Sequence, residues 1–183
     1  MKIVKNVLIC LIVVAFFVMS YFFALYLFCY KTDYAVQVEI ASKEFDVDKA
    51  MIFSIIKAES KFDKNAKSNA GAIGLMQIKL STANYICNIK GEQNVSEDDL
   101  FVPSTNIRLG VAYYRYLLDK FANVETAICA YNAGETTVRA WLMDKTYSND
   151  GKTLSLIPYE ETKNYLKKVT KNFSVYSKLL KNN

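Results

Sequence analysis

The hydrophobic pattern divides the chain into two parts. The segment from Val7 to Tyr30 holds 24 consecutive residues without a charge and is rich in Leu, Ile, Val, Phe and Ala. A helix needs about 20 such residues to cross a bilayer. Bulky residues surround Cys29 where a cleavage site would have small ones, which disfavours both a removed signal peptide and a lipoprotein site. The pattern therefore predicts an uncleaved transmembrane signal anchor over residues 1–30 and a second domain over residues 31–183.

The second part is dominated by helical periodicity. Apolar residues recur at spacings of three and four, and only two prolines interrupt them. The predicted helices run over 34–45, from an N-cap at Asp48 to Glu59, over 81–89, from a cap at Ser104 or Thr105 to Phe121, over 124–131 and 136–142, and onward from Pro158 as one helix or a pair. Residues 60–73 are predicted to be an irregular loop. No segment alternates convincingly enough for a sheet, although the polar connection 143–157 has room for a small hairpin. We expect a compact all-α globule of roughly seven to nine helices.

The charges that flank the apolar segment predict its orientation. Lys2, Lys5 and the amino terminus precede it, whereas Lys31 after it is offset by Asp33. An excess of cations marks the cytoplasmic side of a membrane span. We therefore expect a single-pass membrane protein whose residues 31–183 lie on the extracytoplasmic side.

Composition removes several classes of site. The chain contains no histidine, which excludes Ser-His-Asp and Cys-His catalysis and every histidine-ligated metal site. We expect no metal and no organic cofactor. The net charge of +5 comes from interspersed residues rather than from a basic stripe, which argues against nucleic-acid binding. Cys87 and Cys129 are predicted to be small buried hydrophobes, and a disulfide between them is the alternative.

Glu59 stands where a nearly all-apolar helix reaches a Gly-rich turn. Desolvation by such a helix disfavours the ionised carboxylate and raises its pKa, and the negative end of the helix dipole acts in the same direction. A carboxylic acid that keeps its proton near neutral pH is the donor that cleavage of a glycosidic bond requires. Glu59 is therefore the first candidate catalytic residue.

Four segments then occur in a definite order along the domain. They are Glu59-Ser60, the run from Ser68 to Gln77 with Gly71-Ala72-Ile73-Gly74-Leu75-Met76-Gln77, the segment Ala130-Tyr131-Asn132-Ala133-Gly134, and the segment Ile157-Pro158-Tyr159-Glu160-Glu161-Thr162-Lys163-Asn164-Tyr165. Together they resemble the catalytic domain of the soluble lytic transglycosylase family, which has a goose-lysozyme-like fold. The resemblance spans about residues 38–178. It implies a bacterial lysozyme-like helical globule that binds the glycan strands of peptidoglycan, and the apolar segment 1–30 places this globule at the cell membrane.

The resemblance also implies a reaction and a set of site residues. The β-1,4 bond between N-acetylmuramic acid (MurNAc) and N-acetylglucosamine (GlcNAc) is cleaved by attack of the muramoyl 6-hydroxyl, which leaves a 1,6-anhydro ring. Glu59 matches the single catalytic acid and base. Substrate contacts are implied for Ser68, Gln77, Tyr131 and Asn132, with Tyr131 close to the acid. A glycosidase usually employs two carboxylates, and a chain with one can use a nucleophile that the substrate supplies at high effective concentration.

The chain departs from the family pattern at two places. Lys79 and Leu80 stand where the family usually has an apolar residue and a proline, and Glu135 stands where a proline often follows Asn-Ala-Gly. Position 79 often lines the substrate groove in the family, so that a lysine there offers a partner for a carboxylate of a peptide stem. Glu135 affects the expected shape of its loop.

Three alternatives accompany this interpretation. A membrane-anchored muramidase that hydrolyses the same bond would need a second carboxylate, for which Asp63, Asp98 and Asp99 are available. A non-catalytic cell-wall-binding module would keep the fold without turnover. A membrane assembly protein without sugar contact would need neither the Gly-rich turn nor the Tyr-Asn-Ala-Gly segment.

Overall fold

The computed structural model describes residues 2–28 and 30–181, so the expectation about Cys29 lies outside the described residues. The chain divides into two units, residues 1–32 and 33–183. The first unit is helix α1, Lys2–Phe28. Its segment Val4–Ala24 has a mean hydropathy of 2.8, none of its described side chains is buried, and it is long and apolar enough to cross a membrane.

The second unit is built from helices. Their bounds are α2 Ala35–Phe45, α3 Lys49–Glu59, α4 Leu80–Lys90, α5 Pro103–Phe121, α6 Val124–Ala133, α7 Glu135–Met143 and α8 Glu160–Lys181, with a short 3-10 helix at Asp98–Phe101. α3 packs against α8 and α2, while α6 packs against α5, α7 and α8. The predicted helical class is therefore what the described residues adopt.

Helix α3 is the buried centre of this unit. Eight of its eleven residues are buried, from Ala50 through Ile56 and again at Ala58. The helix begins as predicted, because the side chain of Asp48 accepts a hydrogen bond from the Ala50 N–H at 2.7 Å. A helix enclosed on nearly every side delivers whatever stands at its end into a desolvated environment.

One expected helix boundary is corrected, and two alternatives left open by the sequence are distinguished. α5 begins at Pro103 with Val102 as its N-cap, not at a Ser104 or Thr105 cap, because proline is favoured in the first turn, where its missing N–H costs no helical hydrogen bond. The segment after Pro158 forms one helix, α8. Cys87 and Cys129 are buried free thiols, so the disulfide alternative is not formed in this structure.

Two short strands lie in the region for which no sheet is expected. β1 (Ala72–Ile73) pairs antiparallel with β2 (Ile78–Lys79), with Ala72 opposite Lys79. Strands of two residues are too short to show alternation, so the sequence signals only the turn between them. The connection 143–157, which has room for a small hairpin, contains turns and bends but no strand among the described residues after α7.

Asn106 on α5 ties this small hairpin to the helices. Its Oδ1 accepts from the Met76 N–H at 2.8 Å, and its Nδ2 donates to the carbonyl oxygens of Ile73 at 2.8 Å and Leu100 at 2.7 Å. The side chain is buried, with 1% of its surface exposed. One amide therefore satisfies three backbone groups that would otherwise be buried without partners.

The close approach at Asn106 requires a glycine opposite it. Gly74 has φ +76°, and a Cβ at this position would lie 2.6 Å from the Leu100 carbonyl oxygen and would also overlap the Asn106 amide. A side chain is therefore excluded by space as well as by backbone conformation. The Gly-rich turn therefore packs closely against α5.

Replacing this amide should destabilise the fold. We expect Asn106→Ala to lower the free energy of unfolding by about 2–4 kcal/mol, because three backbone groups lose a buried partner. Urea denaturation of the detergent-solubilised chain, followed by circular dichroism, measures the change. Asn65→Ala, at an exposed loop position, is the control and should stay within about 0.5 kcal/mol of wild type. Equal effects from both variants would contradict the role assigned to Asn106.

Candidate active site

The end of α3 is fastened to the Gly-rich turn. Glu59 is the last helical residue, and the Ser60 N–H after it donates to the Ile56 carbonyl. The Ser60 hydroxyl donates to the Leu75 carbonyl at 2.8 Å and accepts from the Phe62 N–H at 3.1 Å. Ser60 therefore holds the helix end and the turn together, which fixes the position of the neighbouring carboxyl group.

The carboxyl group of Glu59 is half-buried and hydrogen-bonded. The Tyr165 hydroxyl of α8 donates to its Oε1 at 2.7 Å. Burial raises the pKa of Glu59 to about 7, against the lowering effects of the Tyr165 hydrogen bond and the Lys168 ammonium and with a smaller raising effect from Glu161. Lys168 is held nearby because its Nζ donates to the Ala58 carbonyl at 2.9 Å. Glu59 is therefore present in both its protonated and its ionised form near neutral pH.

Glu59 lines a cleft of about 440 Å³. All five residues predicted for the site line this cleft: Glu59, Ser68, Gln77, Tyr131 and Asn132. Further lining residues come from the hairpin, α4, α5, the end of α6 and α8, and they are Ala70, Ala72, Ile78, Lys79, Thr82, Tyr113, Ala133, Gly134 and Glu161. The structure thus brings residues that are far apart in the chain to one concave surface.

Ser68 and Gln77 build the wall of the cleft on the hairpin side. The Ser68 Oγ accepts from the Ala72 N–H at 3.0 Å and closes the turn before β1. Gln77 has a positive φ of 47°, and its Nε2 donates to the carbonyl oxygens of Gly74 at 2.9 Å and Ala66 at 3.1 Å. Because the amide nitrogen of Gln77 already donates to two loop carbonyls, its side-chain oxygen is the atom left for the expected substrate contact.

Tyr131 and Asn132 lie at the end of α6, across from the hairpin. The Tyr131 hydroxyl donates to the Met76 carbonyl at 2.9 Å. Burial raises the pKa of Tyr131 well above its usual value, with the nearby Glu59 as the next cause, so the phenol stays neutral. The Asn132 Oδ1 accepts from the buried Thr162 hydroxyl at 2.7 Å. Tyr131 therefore fixes the turn beside Glu59, while Asn132 anchors α6 to α8.

Tyr165 and Tyr113 belong to the site although neither is among the residues predicted for it. Tyr165 ends the last of the four segments that carry the family resemblance, and it is buried with 7% of its surface exposed, while its hydroxyl reaches Glu59. Tyr113 lines the cleft and packs on Tyr131 with ring centroids 5.4 Å apart. Helical periodicity identifies a buried tyrosine but does not indicate where its hydroxyl points.

Other candidates lie away from the cleft lining. Trp141 is absent from the lining as well, because it is buried and packs edge-on against Tyr159 with ring centroids 4.9 Å apart. Asp63, Asp98 and Asp99 are not among the lining residues. Asp63 accepts from a neighbouring backbone N–H, and Asp99 accepts from Ser96. The second carboxyl group in the described cleft is Glu161.

The described residues contain no group of three or more cysteine, aspartate or glutamate side chains arranged to hold a metal ion. The site contains the carboxyl group of Glu59, which titrates near neutral pH, and the neutral hydroxyls of Tyr131 and Tyr165 beside it. Polar groups line the walls of the cleft. Such an arrangement can give a proton to a bound molecule and take one back.

Comparison with known proteins relates this geometry to a family. Residues 37–155 match the family model described as the transglycosylase SLT domain. The chain is 34% identical over 127 residues to the soluble lytic murein transglycosylase of Salmonella typhimurium, which covers 68% of this chain and 20% of that protein. It is 32% identical over 147 residues to the membrane-bound lytic murein transglycosylase E of Buchnera aphidicola, covering 74% of this chain and 63% of the relative.

Solved structures agree in fold. The inactive mutant of the lytic transglycosylase Slt from Pseudomonas aeruginosa superposes with a TM-score of 0.73 at 31% identity, over 83% of this chain and 25% of that one. The 70-kDa soluble lytic transglycosylase of Escherichia coli also gives 0.73, at 26% identity, over 82% of this chain and 25% of that one. The chain thus spans about a fifth to a quarter of these larger proteins. The expected lysozyme-like helical fold is confirmed by these matches.

Burial of Glu59 should cost stability when the group ionises. Its pKa is higher in the folded chain than the ordinary value of 4.5, so the folded state holds the proton more tightly and stability falls as pH rises from about 4.5 to about 7. We therefore expect Glu59→Gln to raise the free energy of unfolding at pH 8 and to have a smaller effect at pH 4. Denaturant titrations at both pH values measure the difference.

The control for this measurement is Glu160→Gln, which removes an exposed carboxylate next to the site. It should not show the same pH-dependent gain. A Glu59→Gln variant that is no more stable at pH 8 than at pH 4, relative to wild type, would contradict the desolvation of Glu59.

Proposed function

The chain belongs to the family of transglycosylase SLT domains, and on that basis we propose that it is a peptidoglycan lytic transglycosylase. It cleaves the β-1,4 bond between MurNAc and GlcNAc and forms a 1,6-anhydromuramoyl end. The observation that carries the proposal is the position of the Glu59 carboxyl group, which is partly buried, accepts a hydrogen bond from Tyr165 and lines the cleft. This carboxyl group, whose pKa burial raises to about 7, stands at the end of a buried helix and lines a cleft of about 440 Å³.

The reaction divides into two proton transfers by the same group. Protonated Glu59 gives its proton to the bridging oxygen, the bond between this oxygen and the muramoyl C1 breaks, and the GlcNAc side leaves as an alcohol. Glu59 is then a carboxylate. It takes the proton of the muramoyl 6-hydroxyl while the 6-oxygen bonds to C1. Glu59 ends protonated, no water is consumed, and the product is one water lighter than the hydrolysis product.

Two neighbours suit Glu59 to both roles. Burial keeps the proton on the carboxyl group before cleavage, while the Tyr165 hydroxyl and the Lys168 ammonium stabilise the carboxylate afterwards. Since a general acid must also act as a base in the second step, a pKa near the working pH serves both steps. Tyr131 holds the backbone at Met76 beside the reacting group.

Glu161 supports a second candidate, a hydrolase that cleaves the same bond. An inverting glycosidase needs a second carboxylate to activate water. Glu161 is the other carboxyl group in the described lining, and it is exposed at the start of α8. The muramoyl 6-hydroxyl has the advantage of being attached to the substrate, so it competes with water at a much higher effective concentration. We therefore favour the anhydro product.

Mass spectrometry of digested peptidoglycan tests the reaction. We expect wild type to release muropeptides that are one water lighter than hydrolysis products. Glu59→Gln should lose at least about 100-fold of this activity, because an amide cannot replace the acid and base. Glu161→Gln should still give the anhydro product, since Glu161 has no step in the proposed reaction.

The alternatives give different outcomes in the same assay. Products with full reducing ends that disappear in Glu161→Gln would identify a hydrolase. Lysis by Glu59→Gln equal to that of wild type would place catalysis elsewhere and leave this chain as a wall-binding module.

We also propose that α1 anchors the chain, as a single span, with residues 31–183 facing the cell wall on the outer side of the bacterial cell membrane. Two observations support the anchor: the exposed apolar segment Val4–Ala24 and the similarity to relatives that are membrane-bound. The orientation follows from the lysines before the span. The substrate lies on the same side as the cleft in this arrangement.

Labelling of intact cells tests the orientation. In a Cys10→Ser/Cys29→Ser background, Lys178→Cys at an exposed position of α8 should react with a membrane-impermeant maleimide. Lys5→Cys, before the apolar segment, should react only after permeabilisation. The reverse pattern would place the domain in the cytoplasm.

A further inference from the structure

One cation in the cleft has no step in the proposed reaction. Lys79 lines the cleft with Glu59 and Gln77, and its side chain is exposed. Within the described part of the chain, no ion pair involves its ammonium group, although Glu59 and Glu161 line the same cleft. Five lysines elsewhere are paired with carboxylates: Lys43, Lys49, Lys67, Lys120 and Lys163.

The hairpin holds the backbone of Lys79 in place, while the side chain of Lys79 is exposed. β2 pairs with β1, which places Lys79 opposite Ala72, and Ala72 is held in turn by the Ser68 hydroxyl. Ile78, the preceding residue, is 2% exposed. Since successive side chains of a strand point to opposite faces, burial of Ile78 turns Lys79 outward. The hairpin therefore presents an ammonium group at the cleft wall from a stable base.

The chemistry of a glycan strand limits what this ammonium can bind. The MurNAc and GlcNAc rings carry hydroxyl and acetamido groups, which are neutral. The anionic groups beside them are carboxylates on the muramoyl substituent, either the lactyl carboxylate of a peptide-free sugar or the carboxylates of an attached stem peptide. An ammonium group with three donors forms its strongest hydrogen bonds with such anions.

We propose that Lys79 binds a carboxylate of the muramoyl substituent, so that the cleft prefers strands with free carboxylates to strands in which they are amidated. The inference rests on the proposed function, because it takes a glycan strand as the ligand. It assigns Lys79 a role in substrate selection and none in the proton transfers of Glu59. Lys79 would contact the substituent from the cleft wall that it shares with Ser68 and Gln77.

Binding of defined strands to the full-length chain in detergent tests the proposal. The probes are glycan strands of matched length in four forms: with stem peptides whose α-carboxylates are free or amidated, and without peptides but with the lactyl carboxylate free or amidated. The Glu59→Gln background prevents turnover. Adding Lys79→Met should weaken binding of a carboxylate form by about fivefold and leave the amidated forms unchanged. The difference should shrink as salt is raised.

Two further variants separate charge from shape. Lys79→Arg keeps the charge and should retain the preference for carboxylates. Lys171→Met removes an exposed lysine of α8 that does not line the cleft, and it should have no effect on the preference. This control measures the general attraction of a basic surface to an anionic wall.

The outcomes identify the carboxylate or overturn the inference. A loss confined to peptide-bearing strands identifies the stem carboxylate, and a loss confined to peptide-free strands identifies the lactyl carboxylate. Equal losses on free and amidated strands, or no loss on any strand, would overturn the role of Lys79. Cleavage is measured separately in the wild-type background, so a chain that selects carboxylates but forms no anhydro product would refute the proposed function alone.

Discussion

The packing of α3 against α8 is the constraint on which the rest of the site depends. It buries the end of α3, which raises the pKa of Glu59, and it brings the Tyr165 hydroxyl within 2.7 Å of the same carboxyl group. These two residues are 106 positions apart in the chain. The first effect favours the acid and the second favours the carboxylate. The chemistry of one side chain is thus set by the distance between two rigid helices.

The wall of the cleft on the hairpin side is held by polar contacts rather than by helix packing. Ser60, Asn106 and Tyr131 each bind backbone groups of the Gly-rich turn, at Leu75, Met76 and neighbouring residues. The turn has little regular structure of its own, since its strands are two residues long. Side chains from the residue that follows α3, from α5 and from α6 therefore replace the hydrogen bonds that a larger sheet would have supplied.

The sequence predicts the parts of the fold that repeat a local pattern. The apolar run of α3, its cap at Asp48 and the placement of Glu59 at its end follow from composition and spacing. The short strands do not, because two residues carry no alternation. The hydroxyl contact of Tyr165 is equally hidden, because an apolar face shows that a tyrosine is buried without showing its partner. Ser68, Gln77, Tyr131 and Asn132 were found through resemblance, and the cleft they line depends on contacts across long stretches of chain.

The lack of space for a side chain at Gly74 affects how substitution data should be interpreted. No side chain fits between it and the carbonyl of Leu100, although Gly74 itself is not among the residues that line the cleft. A saturation scan would therefore mark position 74 as intolerant of all other residues, in the same way as a residue that touches the sugar. Intolerance at this turn reports a steric requirement of folding, and only assays that separate protein abundance from turnover can tell it apart from chemistry.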